Sequence, residues 1–179
     1  LVPVQVAADS PIIDSSYEGY MYDSVDEPYY SINGYMYQDS IDGYELPIGA
    51  FNDPEDIFVT DDDTFYIVDS GNNRIIHMNA YKEVLQIYGK EEGEGKLNGP
   101  QGVFITKKGF VYVADTLNSR VIVFEPGGEV HKVFPAPESS LLGEDFLYTP
   151  AKLVVDKRDY MYVINKGSDK GMMQIDPNG

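Results

Sequence analysis

Three carboxylates lie close together in the chain at Asp53, Glu55 and Asp56. Closely spaced carboxylate oxygens are the hard ligands that calcium prefers in proteins. The corresponding positions further along the chain offer only amides and a lysine, and no His, so a complete calcium site would need ligands from elsewhere. We therefore assign no metal ligands and no cofactor from the sequence, and we keep calcium as an alternative.

A carboxylate precedes a guanidinium by five residues twice, at Asp69 and Arg74 and again at Asp115 and Arg120. An acid and a base at this spacing could suggest catalysis. However, each Asp ends an apolar run and each Arg begins the next, so we expect each Asp to accept backbone N–H bonds in a turn and to pair with its Arg. We interpret these four residues as structural. No local motif joins a Ser, a His and an Asp, so nucleophilic catalysis has no support.

A repeat that occurs three times sets the positions of these residues. Each copy has a Pro followed 12 residues later by a Tyr, and the copies are 46 and 50 residues apart, at Pro54 and Tyr66, Pro100 and Tyr112, and Pro150 and Tyr162. Short alternating apolar segments separated by polar turns predict four antiparallel strands per copy, which is typical of a β-propeller blade. Because no segment has helical periodicity, we expect an all-β fold with almost no helix.

The second copy has Pro100-Gln101-Gly102 and then Tyr112-Val-Ala-Asp115, followed by Asn118 and Arg120. This pattern resembles the NHL repeat, a family of β-propeller repeats. The first copy departs from this pattern at Asp56, and the third departs at Lys152, Asn165 and Lys170. The resemblance implies a propeller, commonly with six blades, and it implies little about function because fold and function are separable.

The repeats predict blades over residues 49–94, 95–143 and 144–179, the last of them incomplete. Closed propellers need about four to eight blades, so three predict a fragment of a larger ring. The open blade edges at both ends could then mediate self-assembly. The segments that lead into each blade are the usual binding surface of a propeller, and their candidate binding residues are Asn52, Asp53, Glu55, Asp56, Asn98, Gln101, Tyr148 and Lys152.

The charge of the chain is unevenly distributed. The 179 residues have a net charge of −17, and residues 1–73 hold 16 Asp and Glu without any Lys or Arg. Such a surface repels phosphate backbones, which argues against nucleic-acid binding. The chain has no Cys, so disulfides and thiol chemistry are absent.

The first 48 residues differ in composition from the rest. Residues 1–8 end in small residues after an apolar run, which indicates the end of a bacterial signal peptide and an extracellular or cell-surface location. An ordinary first β-strand is the alternative for this segment. Residues 9–48 are rich in Tyr and Asp and repeat a Gly-Tyr-Met-Tyr sequence at Gly19 and Gly34, which predicts two extended segments. These segments could form a binding surface or a strap packed on the blades. No apolar run after residue 8 is long enough to span a membrane.

These observations support three functions. The leading hypothesis is an exported, non-enzymatic propeller that binds a protein or a glycan. The second is a calcium-dependent hydrolase or lyase with its site in the propeller channel, as the resemblance to enzymes of related fold would imply. The third is a structural subunit of a cell-surface assembly.

Overall fold

The structure is a computed structural model that describes residues 19–22, 24–25, 27–31, 39–44, 46–143, 145–167 and 171–178. It divides into two units, residues 1–41 and residues 42–179. In the first unit, β1 (Gly19–Tyr22) pairs antiparallel with β2 (Pro28–Ser31). The predicted signal segment at residues 1–8 and the second Gly-Tyr-Met-Tyr sequence from residue 34 lie outside the described residues.

The second unit consists of three antiparallel sheets, one for each copy of the repeat. Blade 1 has the strands β3 (Pro54–Val59), β4 (Phe65–Asp69), β5 (Arg74–Met78) and β6 (Val84–Tyr88). Blade 2 has β7 (Gly102–Ile105), β8 (Val111–Asp115), β9 (Arg120–Phe124) and β10 (Val130–Phe134). Blade 3 has β11 (Pro150–Val155), β12 (Met161–Asn165) and β13 (Met172–Ile175).

The strands follow each other in chain order within each sheet, as expected for a meander joined by short turns. The described helical structure is limited to two 3₁₀ turns, Ser70–Asn72 and Thr116–Asn118, each of which ends on a left-handed residue. The prediction of an all-β fold built from blades of antiparallel strands is therefore confirmed, and blade 3 has three described strands. No described helix has the length and apolar character needed to cross a bilayer.

The hydrophobic core lies between neighbouring blades. The face of blade 1 that carries Val68 and Ile75 packs against Val103 and Val113 of blade 2. The other face of blade 2 packs in the same way on blade 3, with Val121 against Leu153 and Val163 among others. Alternating side chains along each strand supply both faces of the middle sheet, because successive residues of a strand point to opposite sides. This stacking brings the first strands of the three blades side by side, with β7 in contact with both β3 and β11.

Candidate functional site

A buried carboxylate fixes the segment that leads into blade 1. Asp69 is fully buried at the end of β4. Its Oδ1 accepts the backbone N–H of Asn52 at 2.7 Å, and its Oδ2 accepts Asn72 Nδ2 at 2.9 Å and Arg74 Nε at 2.7 Å. Arg74 Nη1 also donates to the carbonyl oxygen of Ile48 at 2.7 Å. The ion pair between Asp69 and Arg74 therefore connects the start of the blade to the turn between β4 and β5, and both carboxylate oxygens of Asp69 accept hydrogen bonds.

Blade 2 repeats this arrangement. Asp115 Oδ1 accepts the N–H of Asn98 at 2.8 Å, and its Oδ2 accepts Asn118 Nδ2 at 2.8 Å and Arg120 Nε at 2.7 Å. Arg120 Nη2 donates to the carbonyl oxygen of Lys96 at 2.9 Å. In both blades the carboxylate and the guanidinium are therefore occupied by bonds within the blade.

Blade 3 makes the same connection through the neutral side chain of Asn165. Asn165 stands where the other blades have Asp, and its Oδ1 accepts the N–H of Thr149 at 2.6 Å. Its Nδ2 donates to the carbonyl oxygen of Leu147 at 2.9 Å, a bond of the kind that the arginine makes in blades 1 and 2. The amide of Asn165 thus supplies both an acceptor and a donor to the leading segment.

Lys152 joins the three leading segments, residues 52–56, 98–102 and 148–152. Its Nζ donates to the carbonyl oxygens of Glu55 and Gln101, both at 2.9 Å, and lies 3.2 Å from Asp56 Oδ1. The other oxygen of Asp56 accepts the N–H of Val103 at 3.1 Å. One side chain of blade 3 therefore bonds to both other blades and gives the leading segments a fixed relative position.

A glycine in blade 2 leaves room for this bridge. A Cβ at Gly102 would lie 2.3 Å from the carbonyl oxygen of Ala151 and 3.0 Å from Lys152 Cα. Asp56 and Lys152 occupy the equivalent position in the other two blades. The two departures from the Pro-x-Gly pattern are thus a bonded pair that flanks the remaining glycine.

The leading segments present polar groups to solvent. Asn52, Asp53, Glu55 and Asn98 are exposed, and we call the surface that they form with Asp56, Gln101 and Lys152 the leading face. Tyr148 is placed differently from the other candidates, because its side chain is buried between blades 2 and 3. Burial raises the pKa of its hydroxyl, which has no hydrogen-bond partner among the described residues. Tyr148 could therefore reach a ligand only through its backbone.

The three carboxylates of blade 1 do not form a metal cluster. Within the described residues, no group of three or more His, Asp or Glu side chains is arranged to hold a metal ion. Asp56 is turned toward the ammonium group of Lys152, whereas Asp53 and Glu55 are exposed. A cation therefore already neutralises the carboxylate that the sequence offered as a calcium ligand.

The sequence did not reveal a cleft that lies at the ends of the first strands away from the leading face. This cleft has a volume of about 1310 Å³, and its wall includes Tyr66, His77, Phe104 and Tyr112. The His77 ring stacks on Tyr66 with centroids 4.0 Å apart. Burial raises the pKa of the hydroxyls of Tyr66 and Tyr112. The fixed spacing from Pro to Tyr could have revealed the cleft, since it places the tyrosines at one level in adjacent blades.

The bridge made by Lys152 leads to a stability prediction. Lys152→Met keeps the aliphatic stem but removes one ion pair and two hydrogen bonds. Because the pair is partly exposed, we expect a loss of about 1 kcal/mol in the free energy of unfolding. In a chain of this length that loss lowers Tm by roughly 2–4 °C. Differential scanning calorimetry measures the change.

Lys107→Met is the matched control for this variant. Lys107 lies 4.0 Å from Asp61, and both side chains are almost fully exposed, so removing this pair should leave Tm unchanged. If the two lysine variants melted at the same temperature, Lys152 would not hold the blades together as its contacts indicate.

Comparisons with known proteins agree with this geometry. Residues 51–78 and 97–124 match the family model of the NHL repeat. These two segments run from the leading segment to the third strand of blades 1 and 2. No curated protein matches the chain.

Several solved structures are similar to the chain. A catalytically inactive virginiamycin B lyase from Staphylococcus aureus with quinupristin has a TM-score of 0.52 at 12% identity, covering 74% of this chain and 43% of that one. A streptogramin B lyase has a TM-score of 0.52 at 10% identity, with 87% and 46% coverage. Hydrazine synthase of Kuenenia stuttgartiensis has a TM-score of 0.53 at 17% identity, with 76% and 37% coverage.

At these identities the likeness shows the fold alone. The chain spans less than half the length of each of these three structures. The family match and the stacked four-stranded sheets nevertheless lead to the same assignment. Residues 51–78 and 97–124 match the NHL repeat, and the chain folds as blades of a β-propeller.

Proposed function

We propose that this chain is a non-enzymatic binding module that takes a protein or a glycan partner on its leading face. The observation that carries the proposal is the bridge from Lys152 to Glu55, Asp56 and Gln101, which holds segments of all three blades in one arrangement. A pre-organised polar surface loses little conformational entropy when a partner binds. Rigid elements that position exposed side chains are a usual basis for recognition.

The exposed groups of the leading face define the chemistry of the partner. Asp53 and Glu55 supply carboxylates, and Asn52 and Asn98 supply amides. Carboxylates accept hydrogen bonds from lysine and arginine side chains. Carboxylates and amides can both form hydrogen bonds with sugar hydroxyls. The net charge of −17 would increase the rate at which a cationic partner associates. These features favour a partner protein with basic side chains, and a glycan is the alternative.

We further propose that the protein is exported. Support for this location comes from the sequence of residues 1–8, which resembles the end of a signal peptide. An exported protein without Cys would rely on its hydrophobic interfaces rather than on disulfides for stability.

A binding test with two paired variants examines the leading face. The variant D53N/E55Q removes two negative charges from that face, and D61N/D63N removes two from the turn of blade 1 at the opposite end of β3. Each labelled protein is applied to a glycan array and to an array of basic peptides. We expect the wild type and D61N/D63N to bind alike and D53N/E55Q to lose most of the signal. Equal losses in the two variants would contradict a leading-face site.

A calcium-dependent hydrolase or lyase is the second candidate. The acidic cluster at Asp53, Glu55 and Asp56 favours it, and two of the structures with this fold are named as lyases. Such a site would require calcium to displace the Lys152 ammonium group from Asp56.

Thermal melting with calcium separates the two candidates. A ligand that binds only the folded state raises the stability in proportion to the logarithm of its concentration. We expect the same Tm in EDTA and in about 1 mM calcium, a concentration at which extracellular calcium modules are occupied. A calcium-dependent increase in Tm that grows in the Lys152→Met variant would instead support the metal site.

A further inference from the structure

The cleft that lies away from the leading face holds a histidine in a fixed orientation. The His77 ring stacks on Tyr66, with the two ring planes 7° apart and their centroids at 4.0 Å. The two residues are direct cross-strand partners on β4 and β5. His77 Nε2 lies 3.0 Å from Thr64 Oγ1. The imidazole therefore has one face and one nitrogen occupied, whereas its Nδ1 has no hydrogen-bond partner among the described residues.

A chain of hydrogen bonds runs from Thr64 to a carboxylate in the turn between β3 and β4. Thr64 Oγ1 lies 2.8 Å from Thr60 Oγ1, which lies 2.5 Å from Asp62 Oδ1. Thr60 has one hydroxyl hydrogen and a second acceptor within reach, the Thr64 carbonyl oxygen at 2.8 Å. The carboxylate is closer and makes the stronger bond, and the carbonyl oxygen already accepts the Thr60 N–H. Thr60 therefore donates to Asp62, and this bond lowers the pKa of that carboxyl.

The direction of this bond fixes the direction of the others, because each hydroxyl has a single hydrogen to donate. Since the Thr60 hydrogen is used on the carboxylate, Thr64 donates the bond between the two threonines. The Thr64 hydrogen is then used as well, so His77 donates from Nε2. Burial lowers the pKa of His77, against the opposing effect of the Asp62 carboxylate, and this favours the neutral ring. A neutral imidazole with its hydrogen on Nε2 is an acceptor at Nδ1.

The wall of the cleft around this acceptor is largely aromatic. Phe58 and Phe104 make an edge-to-face contact with centroids 5.3 Å apart, and Tyr112 lies on the same wall. Contacts between rings stabilise a complex beyond the burial of apolar area alone. Apolar cavities with a few well-placed polar groups are the usual form of a small-molecule site. The wall therefore favours a ligand that contains an aromatic ring.

The charged side chains that line the cleft are of both signs. They include Asp61, Lys107, Asp156 and Lys157. Asp61 lies 4.0 Å from Lys107, and Asp156 lies 2.6 Å from Arg158. Burying a charged ligand without a counter-charge is costly. This balance of charge therefore favours an uncharged ligand.

We propose that this cleft binds an uncharged planar aromatic ligand that donates an N–H or O–H group to Nδ1 of His77. The ring of the ligand packs on the aromatic wall beside Tyr66. Asp62, Thr60 and Thr64 are positioning residues, since they act on the ligand only through the hydrogen that they hold on Nε2. The site lies away from the leading face, so it neither requires the partner proposed for that face nor competes with it.

Indole and 1-methylindole are the probes that test the site, because 1-methylindole has the same ring without the N–H donor. The chain has no Trp, so fluorescence excited where tyrosine does not absorb reports the probe alone. We expect the wild type to bind indole about fivefold to tenfold more tightly than 1-methylindole, which is the contribution of one hydrogen bond. If neither probe bound, or both bound equally, the proposal would be overturned.

Two histidine variants identify the acceptor. His77→Phe keeps a ring beside Tyr66 but has no acceptor, so we expect it to lose the preference for indole. His131→Phe is the matched control, since His131 is the other histidine of the chain and also lines the cleft. It should keep the preference. A preference that survived in His77→Phe, or that disappeared in His131→Phe, would contradict the assignment of His77. Circular dichroism checks that both variants are folded.

Nuclear magnetic resonance provides a second measurement that needs no change at His77. The chain has two histidines, and long-range ¹H–¹⁵N spectra show which nitrogen of each ring carries the hydrogen. We expect the hydrogen of His77 on Nε2, and a shift of its Nδ1 resonance with indole but not with 1-methylindole. Thr64→Val should give a mixture of the two tautomers and a weaker preference for indole. A hydrogen on Nδ1 in the wild type would overturn the proposal.

Discussion

Replacing Asp69 with Ala should lower the free energy of unfolding by about 3–5 kcal/mol. The carboxylate accepts three hydrogen bonds, from the Asn52 N–H, Asn72 Nδ2 and Arg74 Nε. Alanine would remove the acceptor of these three bonds and would leave the buried guanidinium of Arg74 without its counter-charge. Losing one partner of a buried ion pair is costly because the desolvated charge that remains is uncompensated. Chemical denaturation of the wild type and the variant measures the difference.

The matched control is Asp61→Ala in the same blade. Asp61 is almost fully exposed and lies 4.0 Å from Lys107, so its removal should not change the stability measurably. Asp115→Ala should destabilise the protein somewhat less than Asp69→Ala, because Arg120 is more accessible to water than Arg74. A variant at Asp69 that unfolds at the same denaturant concentration as Asp61→Ala would show that the carboxylate contributes no net stability.

Blade 3 suggests how the destabilisation caused by Asp69→Ala can be reduced. Asn165 makes the bond to the leading segment with a neutral amide, and the structure pairs it with no buried arginine in the described part of blade 3. The double variant D69N/R74M removes both charges of blade 1 together. We expect it to be more stable than Asp69→Ala, because no buried charge remains unpaired. Comparing D69N/R74M with Asp69→Ala distinguishes the penalty of an unpaired buried charge from the contribution of the hydrogen bonds.

Replacing Gly102 with Ala should destabilise the protein by about 3 kcal/mol, at the upper end of the usual penalty for overpacking. The new Cβ would lie 2.3 Å from the Ala151 carbonyl oxygen and 3.0 Å from Lys152 Cα. Both atoms belong to the backbone of blade 3 and cannot rotate away. The blades would have to separate, which would also strain the bond from Lys152 to the Gln101 carbonyl oxygen. The expected decrease in Tm is roughly 6–12 °C.

Gly127→Ala in the same blade controls for the glycine substitution itself. Its Cβ would meet the end of the Glu129 side chain, which is flexible and exposed. Neither glycine has a left-handed backbone conformation, so the two variants differ mainly in what the added carbon meets. We expect Gly127→Ala to melt within a few degrees of the wild type. Similar Tm values for both alanine variants would contradict the close approach of blades 2 and 3.

The strands and their order within each blade could be predicted from the sequence. Alternating apolar residues identify strands, and the fixed spacing from Pro54 to Tyr66 and Arg74 repeats in later copies, so one pattern describes all three blades. The position of Asp69 before a turn also indicated its pairing with Arg74. These features are local, because they depend on residues that lie within one hairpin.

The contacts of the leading face depend on how one blade lies against the next, which no local pattern encodes. The bond between Lys152 and Asp56 joins blades that are not adjacent in sequence, so the two residues looked like unrelated departures from a motif. The burial of Tyr148 could not be predicted for a second reason, which is a change in the spacing of the leading segment. In blades 1 and 2 the N–H of Asn52 or Asn98 reaches the buried carboxylate, but in blade 3 Thr149 makes this bond. Tyr148 therefore lies one residue before the bonded position, and its side chain is buried between blades 2 and 3.

The bridge made by Lys152 also affects how the protein opens. In a row of repeats that contact only their neighbours, each end can fray one repeat at a time. Lys152 bonds to the carbonyl oxygen of Glu55, 97 positions earlier, and so couples the first repeat directly to the third. Opening either terminal repeat breaks a bond that the other also uses. The bridge therefore favours opening of the three repeats as one cooperative unit, with the all-or-none character of a single domain rather than that of a linear array.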